Sequence, residues 1–151
     1  MAEANPILPC VLLPMQDCQL LLPNVSLAEV VDYATPQRGS QGPDWYLGRF
    51  SWRGISLPVI SYDAANGATP QTPDTARGRI AVLNTIGPQH EQLPFLAVVT
   101  QGIPRLAKVD ADALRAVDGR CGPADLMQAE LEGMPVTIPN VEYLESLAAQ
   151  L

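Results

Sequence analysis

Hydrophobic residues along the chain occur mostly in short runs with strand-like alternation, and the densest pattern covers residues 45–62. This segment, WYLGRFSWRGISLPVISY, places two runs of strand-forming residues on either side of Arg53-Gly54. It predicts a β-hairpin with a two-residue turn. The predicted pairs are Trp52 with Ile55, Phe50 with Leu57, Gly48 with Val59 and Tyr46 with Ser61.

Paired residues share a face, so this hairpin should have one apolar side and one polar side. The apolar side collects Phe50, Trp52, Ile55, Leu57 and Val59. The other side carries Arg49, Ser51, Ser56 and Pro58 near the turn. Arg53 should project from the tip of the hairpin, a position suited to recognition.

Most of the remaining pattern also predicts strands. One hairpin is predicted around Gln16-Asp17, from residues 11–15 and 18–22. A second, with a longer loop, joins residues 79–86 to residues 95–101, and residues 103–109 are expected to add an edge strand. A further strand pair is predicted around Glu132-Gly133, from residues 126–131 and 134–138. Pro104 favours an edge position for its strand because proline cannot donate to a ladder.

Two segments predict helices. Asn140 is placed to cap a closing helix whose apolar stripe has helical spacing. The stripe consists of Val141, Leu144, Leu147, Ala148 and Leu151. Residues 110–118 predict a short helix with Asp110 as N-cap and with Leu114 and Val117 facing inward.

The segment around Ser26 has two interpretations. Ser26 and Glu29 have the spacing of a capping box, which predicts a helical turn before a strand at residues 30–33. The alternative is a strand throughout, with Glu29 simply solvated.

Composition limits the architecture and the partners. The chain has 151 residues, 47% hydrophobic and 17% charged, which fits one domain, possibly divided into two small lobes. Residues 34–44 are loop-like, and residues 64–78 are the best candidate for a flexible loop or a lobe boundary. The net charge of −7 argues against nucleic acid and anionic membrane surfaces as partners.

The N-terminal apolar patch lacks a basic region and is interrupted by Pro6, Pro9 and Pro14, so it does not resemble a signal peptide. No apolar stretch has the length of a transmembrane helix. The three cysteines, Cys10, Cys18 and Cys121, lack CxxC spacing, which suggests buried or idle thiols in a reducing compartment. We therefore expect a cytoplasmic protein with no membrane insertion.

Catalytic patterns are missing from the sequence. His90 is the single histidine and lies in a predicted loop, so a catalytic triad or a zinc site has little to draw on. No glycine-rich phosphate loop precedes Lys108, the single lysine. Asp110, Asp112 and Asp118 suit capping and solubility. We expect no cofactor, no metal and no enzymatic activity: the pattern is that of a binding protein.

The central hairpin resembles a known motif. Residues 48–60, GRFSWRGISLPVI, resemble the G-x-(apolar)-N-L-R-G-x-(apolar)-(apolar)-P-V-I motif of CheW-like chemotaxis coupling proteins. Residues 27–31, LAEVV, resemble the V-x-E-V-I segment of that family. The resemblance covers about forty residues specifically and the rest of the chain loosely.

The resemblance implies a mainly β fold of two small five-stranded SH3-like barrels that share a core, with short helices including a C-terminal one. It implies a non-catalytic adaptor that couples the cytoplasmic signalling tips of chemoreceptors to the regulatory domain of a CheA-type histidine kinase. Carried over by position, the partner-binding residues line the receptor side of a groove between the barrels. They are Leu27, Glu29, Val30, Arg53 and Gly54.

Several positions depart from the family pattern. Ser51 replaces the usual Asn, Trp52 the usual Leu, Leu27 the usual Val, and Ser61 a common Asp. These departures suggest a divergent member, such as an accessory adaptor of a chemosensory system that controls type IV pili and twitching motility. Two alternatives remain open: a small-ligand-binding protein or hydrolase that uses carboxylates in an inter-barrel cleft, and a paralogue that binds a single unrelated partner.

Overall fold

The computed structural model describes residues 7–38, 42–87, 91–110 and 112–151. In chain order its strands are β1 (Leu8–Pro14), β2 (Gln19–Pro23), β3 (Leu27–Asp32), β4 (Tyr46–Trp52), β5 (Ile55–Ile60), β6 (Arg79–Asn84), β7 (Phe95–Thr100), β8 (Arg105–Val109), β9 (Leu114–Ala116), β10 (Asp125–Leu131) and β11 (Met134–Pro139). The helices are α1 (Tyr62–Ala65) and α2 (Val141–Ala148), and a 3₁₀ turn covers Asn24–Ser26.

The strands form two sheets, which confirms the prediction of a mainly β fold. The first sheet has the order β8-β1-β2-β11-β10-β9, and the second has the order β3-β6-β7-β5-β4. The first sheet therefore combines strands from both ends of the described chain. The second sheet is formed by the middle segment of the chain, from β3 to β7. The segment 64–78 lies between β5 and β6, which both belong to the second sheet. It is therefore not the boundary between the two lobes.

The central hairpin forms as the sequence predicts. β4 and β5 pair Trp52 with Ile55, Phe50 with Leu57 and Gly48 with Val59. The predicted partner of Tyr46 is wrong by one residue, because an irregularity between Tyr46 and Gly48 shifts the register to Ile60. Pro58, placed on the polar side, is buried.

The other predicted strand pairs are also confirmed. β1 pairs with β2, β6 with β7 and β10 with β11, all antiparallel, and β8 lies at the edge of the first sheet beside β1. The first sheet gains a sixth strand beyond the five expected, namely β9, which pairs with β10.

The predicted helix at residues 110–118 is wrong, because that segment supplies β9. The Asp110 carboxylate does accept the amide hydrogens of Asp112 and Ala113, but this closes a turn and starts no helix. Leu114 and Ala116 then pair with Leu131 and Ala129 of β10. Pairing with a distant strand outweighs the local capping signal.

The capping box at Ser26 and Glu29 is wrong as well. Ser26 ends the 3₁₀ turn, and β3 begins at Leu27, so the strand interpretation is correct from that residue. The expectation that Glu29 is simply solvated is wrong, however, since its side chain accepts hydrogen bonds from Trp52 and Arg53.

One hydrophobic cluster joins both sheets and α2, and smaller clusters fill each lobe. The shared cluster includes Val11 and Leu13 of β1, Ile60 of β5, Leu83 of β6, Leu96 of β7, and Leu144 of α2. Since burial of apolar surface is the main stabilising term, this shared cluster holds the lobes together.

Helix α2 is capped as predicted, because the Asn140 side chain accepts the amide hydrogen of Tyr143 at 3.1 Å. Four of the five stripe residues are buried, whereas Leu151 is 49% exposed beyond the helix end. The buried Glu145 carboxylate accepts the amide hydrogens of Ile86 and Gly87 and so links α2 to the chain that follows β6. No helix in the described ranges is long and apolar enough to cross a bilayer.

Candidate partner-binding site

The turn that carries Arg53 has a backbone conformation suited to a tight hairpin. The φ angles of Arg53 and Gly54 are +48° and +77°, as in a type I′ turn. Glu132 and Gly133 form the same turn at the tip of β10–β11, with φ angles of +51° and +84°. In both turns the glycine takes the second left-handed position at little steric cost.

Glu29 of β3 meets this turn although β3 and β4 are opposite edges of the second sheet. Its Oε1 atom accepts the Trp52 indole N–H at 2.9 Å and an Arg53 guanidinium N–H at 2.9 Å. The second sheet must therefore curl until its two edges approach, as in a barrel. We call these three residues the Glu29–Trp52–Arg53 cluster.

The cluster is electrostatically polarised and partly open to solvent. The hydrogen bond from Trp52, helped by the neighbouring Arg53 charge, holds the pKa of the Glu29 carboxyl below its usual value. The Arg53 guanidinium carbon lies 4.9 Å from the centre of the Trp52 ring, a cation–π distance. The Arg53 side chain is 67% exposed, so guanidinium donors remain available to a partner.

The other residues that the resemblance assigned to the site are positioned differently. Leu27 is half-buried and packs against the shared core cluster. Val30 is half-buried and pairs with Ala81 of β6. The structure thus brings Glu29, Arg53 and Gly54 together, and Leu27 and Val30 continue the same strand.

An apolar groove of about 420 Å³ lies where the lobes meet. Its walls include Pro23 and Ser26 before β3, Ile86 after β6, Leu126 of β10, and Val141 of α2. Ile86 and Leu126 are 64% and 61% exposed. Neither residue was predicted as a site residue, because a large aliphatic side chain near the end of a strand is by itself a weak sequence signal.

A second pocket, of about 430 Å³, is polar and lies near α1 and β10. Its lining includes the acids Asp17, Asp63, Asp118, Asp125 and Glu130. This is the kind of feature that the hydrolase or small-ligand alternative requires.

The buried Asp63 and the half-buried Asp125 of the polar pocket already have protein partners. Asp63 accepts the Gln16 amide hydrogen, and burial raises the pKa of its carboxyl. Asp125 accepts hydrogen bonds from the Tyr62 hydroxyl and from the Asn66 side chain. These contacts are those of a structural network.

Burial raises the pKa of two of the thiols, those of Cys10 and Cys18, and the described residues contain no metal-binding cluster. All three cysteines are free, and burial raises the pKa of the Cys18 thiol to about 11, so this thiol is protonated at neutral pH. No group of three or more potential ligands in the described ranges could hold a metal ion. His90 lies outside those ranges.

The comparisons with known proteins agree with this architecture. The family model of the CheW-like domain matches residues 9–145, and the chain therefore belongs to the CheW-like domain family. The match spans both sheets and reaches into α2. The predicted family and the predicted fold of two SH3-like barrels are thereby confirmed.

A solved structure supports the fold. The crystal structure of the scaffolding protein TtCheW from Thermoanaerobacter tengcongensis superposes with a TM-score of 0.74 at 13% sequence identity. The match covers 93% of this chain and 89% of that protein. No curated protein sequence gives a significant match.

Proposed function

We propose that this protein is a non-catalytic signalling adaptor that couples chemoreceptors to a CheA-type histidine kinase in a bacterial chemosensory pathway. Family membership supports a chemotaxis scaffold in general. The observation that carries the specific proposal is the Glu29–Trp52–Arg53 cluster, which fixes an exposed arginine at the rim of one lobe.

Arg53 suits recognition of a receptor helix. Its planar guanidinium can donate several hydrogen bonds in a fixed geometry, and among the described residues it donates one, to Glu29. The carbonyl groups at a helix turn, or a carboxylate on the helix surface, match these donors.

The apolar groove supplies the second part of the surface. Ser26 lines the groove and precedes Glu29 by three residues, so the two lie at most about 10 Å apart along the chain. Two turns of an α-helix cover about 11 Å. A receptor helix could therefore place apolar side chains against Ile86 and Leu126 and a polar group against Arg53.

The cellular setting belongs to the same proposal. A CheA-type kinase and receptor signalling tips are cytoplasmic, so we place the protein in the cytoplasm. The departures at Ser51 and Trp52 favour an accessory adaptor, with type IV pili and twitching motility as the pathway output.

Binding of purified protein to a receptor signalling-tip fragment tests the assignment of the groove. We expect Arg53→Glu to weaken binding by roughly tenfold or more, because arginines at interfaces are frequent hot spots. Glu132 already occupies the equivalent turn position, so glutamate is compatible with this backbone. Arg53→Gln removes the charge without adding repulsion toward Glu29.

Arg115→Glu is the matched control. Arg115 pairs with Glu130 at 2.8 Å and has a 75% exposed side chain, close to the values for Arg53 and Glu29. If the Arg53 variants bind the receptor fragment as tightly as wild type, the proposed binding site is wrong. The same series against the kinase regulatory domain shows whether both partners depend on Arg53.

Co-purification from cell extract separates the adaptor from the paralogue alternative. Recovery of one unrelated protein, with neither receptor nor kinase, would support the paralogue. The hydrolase alternative has the polar pocket in its favour, but the partners of Asp63 and Asp125 assign those acids to structural roles. The geometry therefore favours the adaptor.

A further inference from the structure

Trp52 contacts both charged members of the cluster through different parts of one ring system. Its N–H donates to the Glu29 carboxylate at 2.9 Å, and its ring lies beneath the Arg53 guanidinium at 4.9 Å. The ring also makes an edge contact with Phe95 of β7, with centroids 4.9 Å apart. The side chain is only 7% exposed, so its orientation is fixed by packing.

Packing alone does not account for a tryptophan at this position. The hairpin pattern requires only an apolar residue, and the family motif has leucine there. A leucine could fill space beside Phe95 and Val82, but it has no N–H for Glu29 and no ring face for Arg53. The indole therefore adds two polar contacts to an apolar position.

These contacts address a weakness of exposed ion pairs. An exposed arginine–glutamate pair contributes little by itself, because two long side chains must be ordered to make it. The Arg115–Glu130 pair has a similar length, but Arg115 lies over no aromatic ring among the described residues. The contacts with Trp52 thus distinguish the Arg53–Glu29 pair at the proposed partner site from the Arg115–Glu130 pair.

We propose that Trp52 is a positioning residue of the partner site, which holds Glu29 and Arg53 so that the outward donors of Arg53 are already oriented for a receptor helix. This inference rests on the proposed function. Orientation before binding reduces the conformational entropy lost on association and so raises affinity. It also makes the site specific for a partner that fits a fixed arginine rather than one that needs Arg53 to move.

Trp52→Phe separates positioning from packing. Phenylalanine keeps a ring beside Phe95 and beneath Arg53, but it removes the N–H donor to Glu29. Trp52→Leu restores the family residue and removes both polar contacts. Two quantities are measured for each variant: the pKa of the Glu29 carboxyl by NMR titration, and the affinity for a receptor signalling-tip fragment.

We expect Trp52→Phe to raise the pKa of Glu29 toward its ordinary value and to weaken binding by roughly three- to tenfold. Trp52→Leu should weaken binding further, because the guanidinium also loses its ring face. Thermal unfolding is recorded in parallel, so that affinity is compared for equal folded fractions. A purely structural role would lower stability without shifting the Glu29 titration.

The outcomes distinguish this inference from the proposed function. Binding by wild type with unchanged affinity in Trp52→Phe overturns the positioning role and leaves the adaptor function intact. An unchanged Glu29 pKa in Trp52→Phe also overturns it. Failure of wild type to bind either the receptor fragment or the kinase regulatory domain overturns the proposed function instead, whatever the Glu29 titration shows.

Discussion

Asp63 is a buried acid in α1 whose carboxylate accepts the backbone amide hydrogen of Gln16. Burial penalises the charged carboxylate more than this hydrogen bond compensates, and the pKa is raised. The negative charges of Asp17 and Asp125 act in the same direction. At the residue scale, the charged form of Asp63 in the polar pocket therefore lowers the stability of the folded state.

We predict that Asp63→Asn becomes progressively more stable than wild type as pH rises above 3.8, the ordinary aspartate pKa. A raised folded-state pKa means that the folded chain holds this proton more tightly than the unfolded chain. The contribution of Asp63 to wild-type stability should thus fall as pH rises from that value to the raised pKa and then level off. Asparagine does not titrate, and its side-chain oxygen can still accept the Gln16 amide hydrogen.

Denaturant unfolding across that pH range measures the difference in free energy of unfolding between the two proteins. Asp32→Asn, at the exposed end of β3, controls for the loss of one negative charge. A difference that shrinks as pH rises would show that the charged form of Asp63 is favoured in the folded state.

At the scale of secondary structure, the sequence predicted elements wherever the deciding interaction was local. The alternation around Arg53-Gly54 and the apolar stripe of α2 each specify one face, so the pairing of residues 48–52 with residues 55–59 and the buried face of α2 followed from the pattern. The helix predicted after Asp110 was wrong because the same carboxylate can close a turn or cap a helix. The pairing of β9 with β10 decides between these two outcomes.

The candidate site shows the same contrast between features set by local sequence and features set by long-range packing. The motif resemblance selected Glu29 and Arg53 as candidate site residues, yet the role proposed for Trp52 did not follow from it. Trp52 and Glu29 are 23 residues apart, and they meet only because the second sheet curls until β3 approaches β4. No local pattern encodes that closure.

The two matched turns give a prediction at this scale. Replacement of Gly54 or Gly133 by alanine should cost about 1 kcal/mol of stability in each case, because each glycine has a left-handed φ angle. A Cβ atom at either position would meet nothing within 4 Å, so the cost is conformational. Only Gly54→Ala should also weaken binding to the receptor fragment, since it displaces Arg53.

Denaturant unfolding and the binding assay together test this prediction. Equal loss of stability with unchanged binding in both variants would mean that the conformation of the Arg53 turn is unimportant for recognition. Loss of binding in Gly133→Ala would instead place a contact at the tip of β10–β11.

At the scale of the whole molecule, the two sheets depend on one another. The first sheet cannot form without both ends of the described chain, and the second is made from the segment between them. Leu144 of α2 is 1% exposed within the shared cluster, whereas Leu57 of β5 is 2% exposed inside the second lobe. If the lobes are a single domain, loss of either side chain should destabilise the whole chain.

We predict that Leu144→Ala and Leu57→Ala each lower the free energy of unfolding by about 3 kcal/mol while unfolding stays a single transition. Hydrogen exchange at β6 amides reports on the second sheet, and exchange at β10 amides reports on the first. Leu106→Ala, at a position that is 80% exposed, is the control and should change stability little. If Leu57→Ala unfolds the second sheet while β10 stays protected, the lobes are separate cooperative units, and the groove between them could open without unfolding either one.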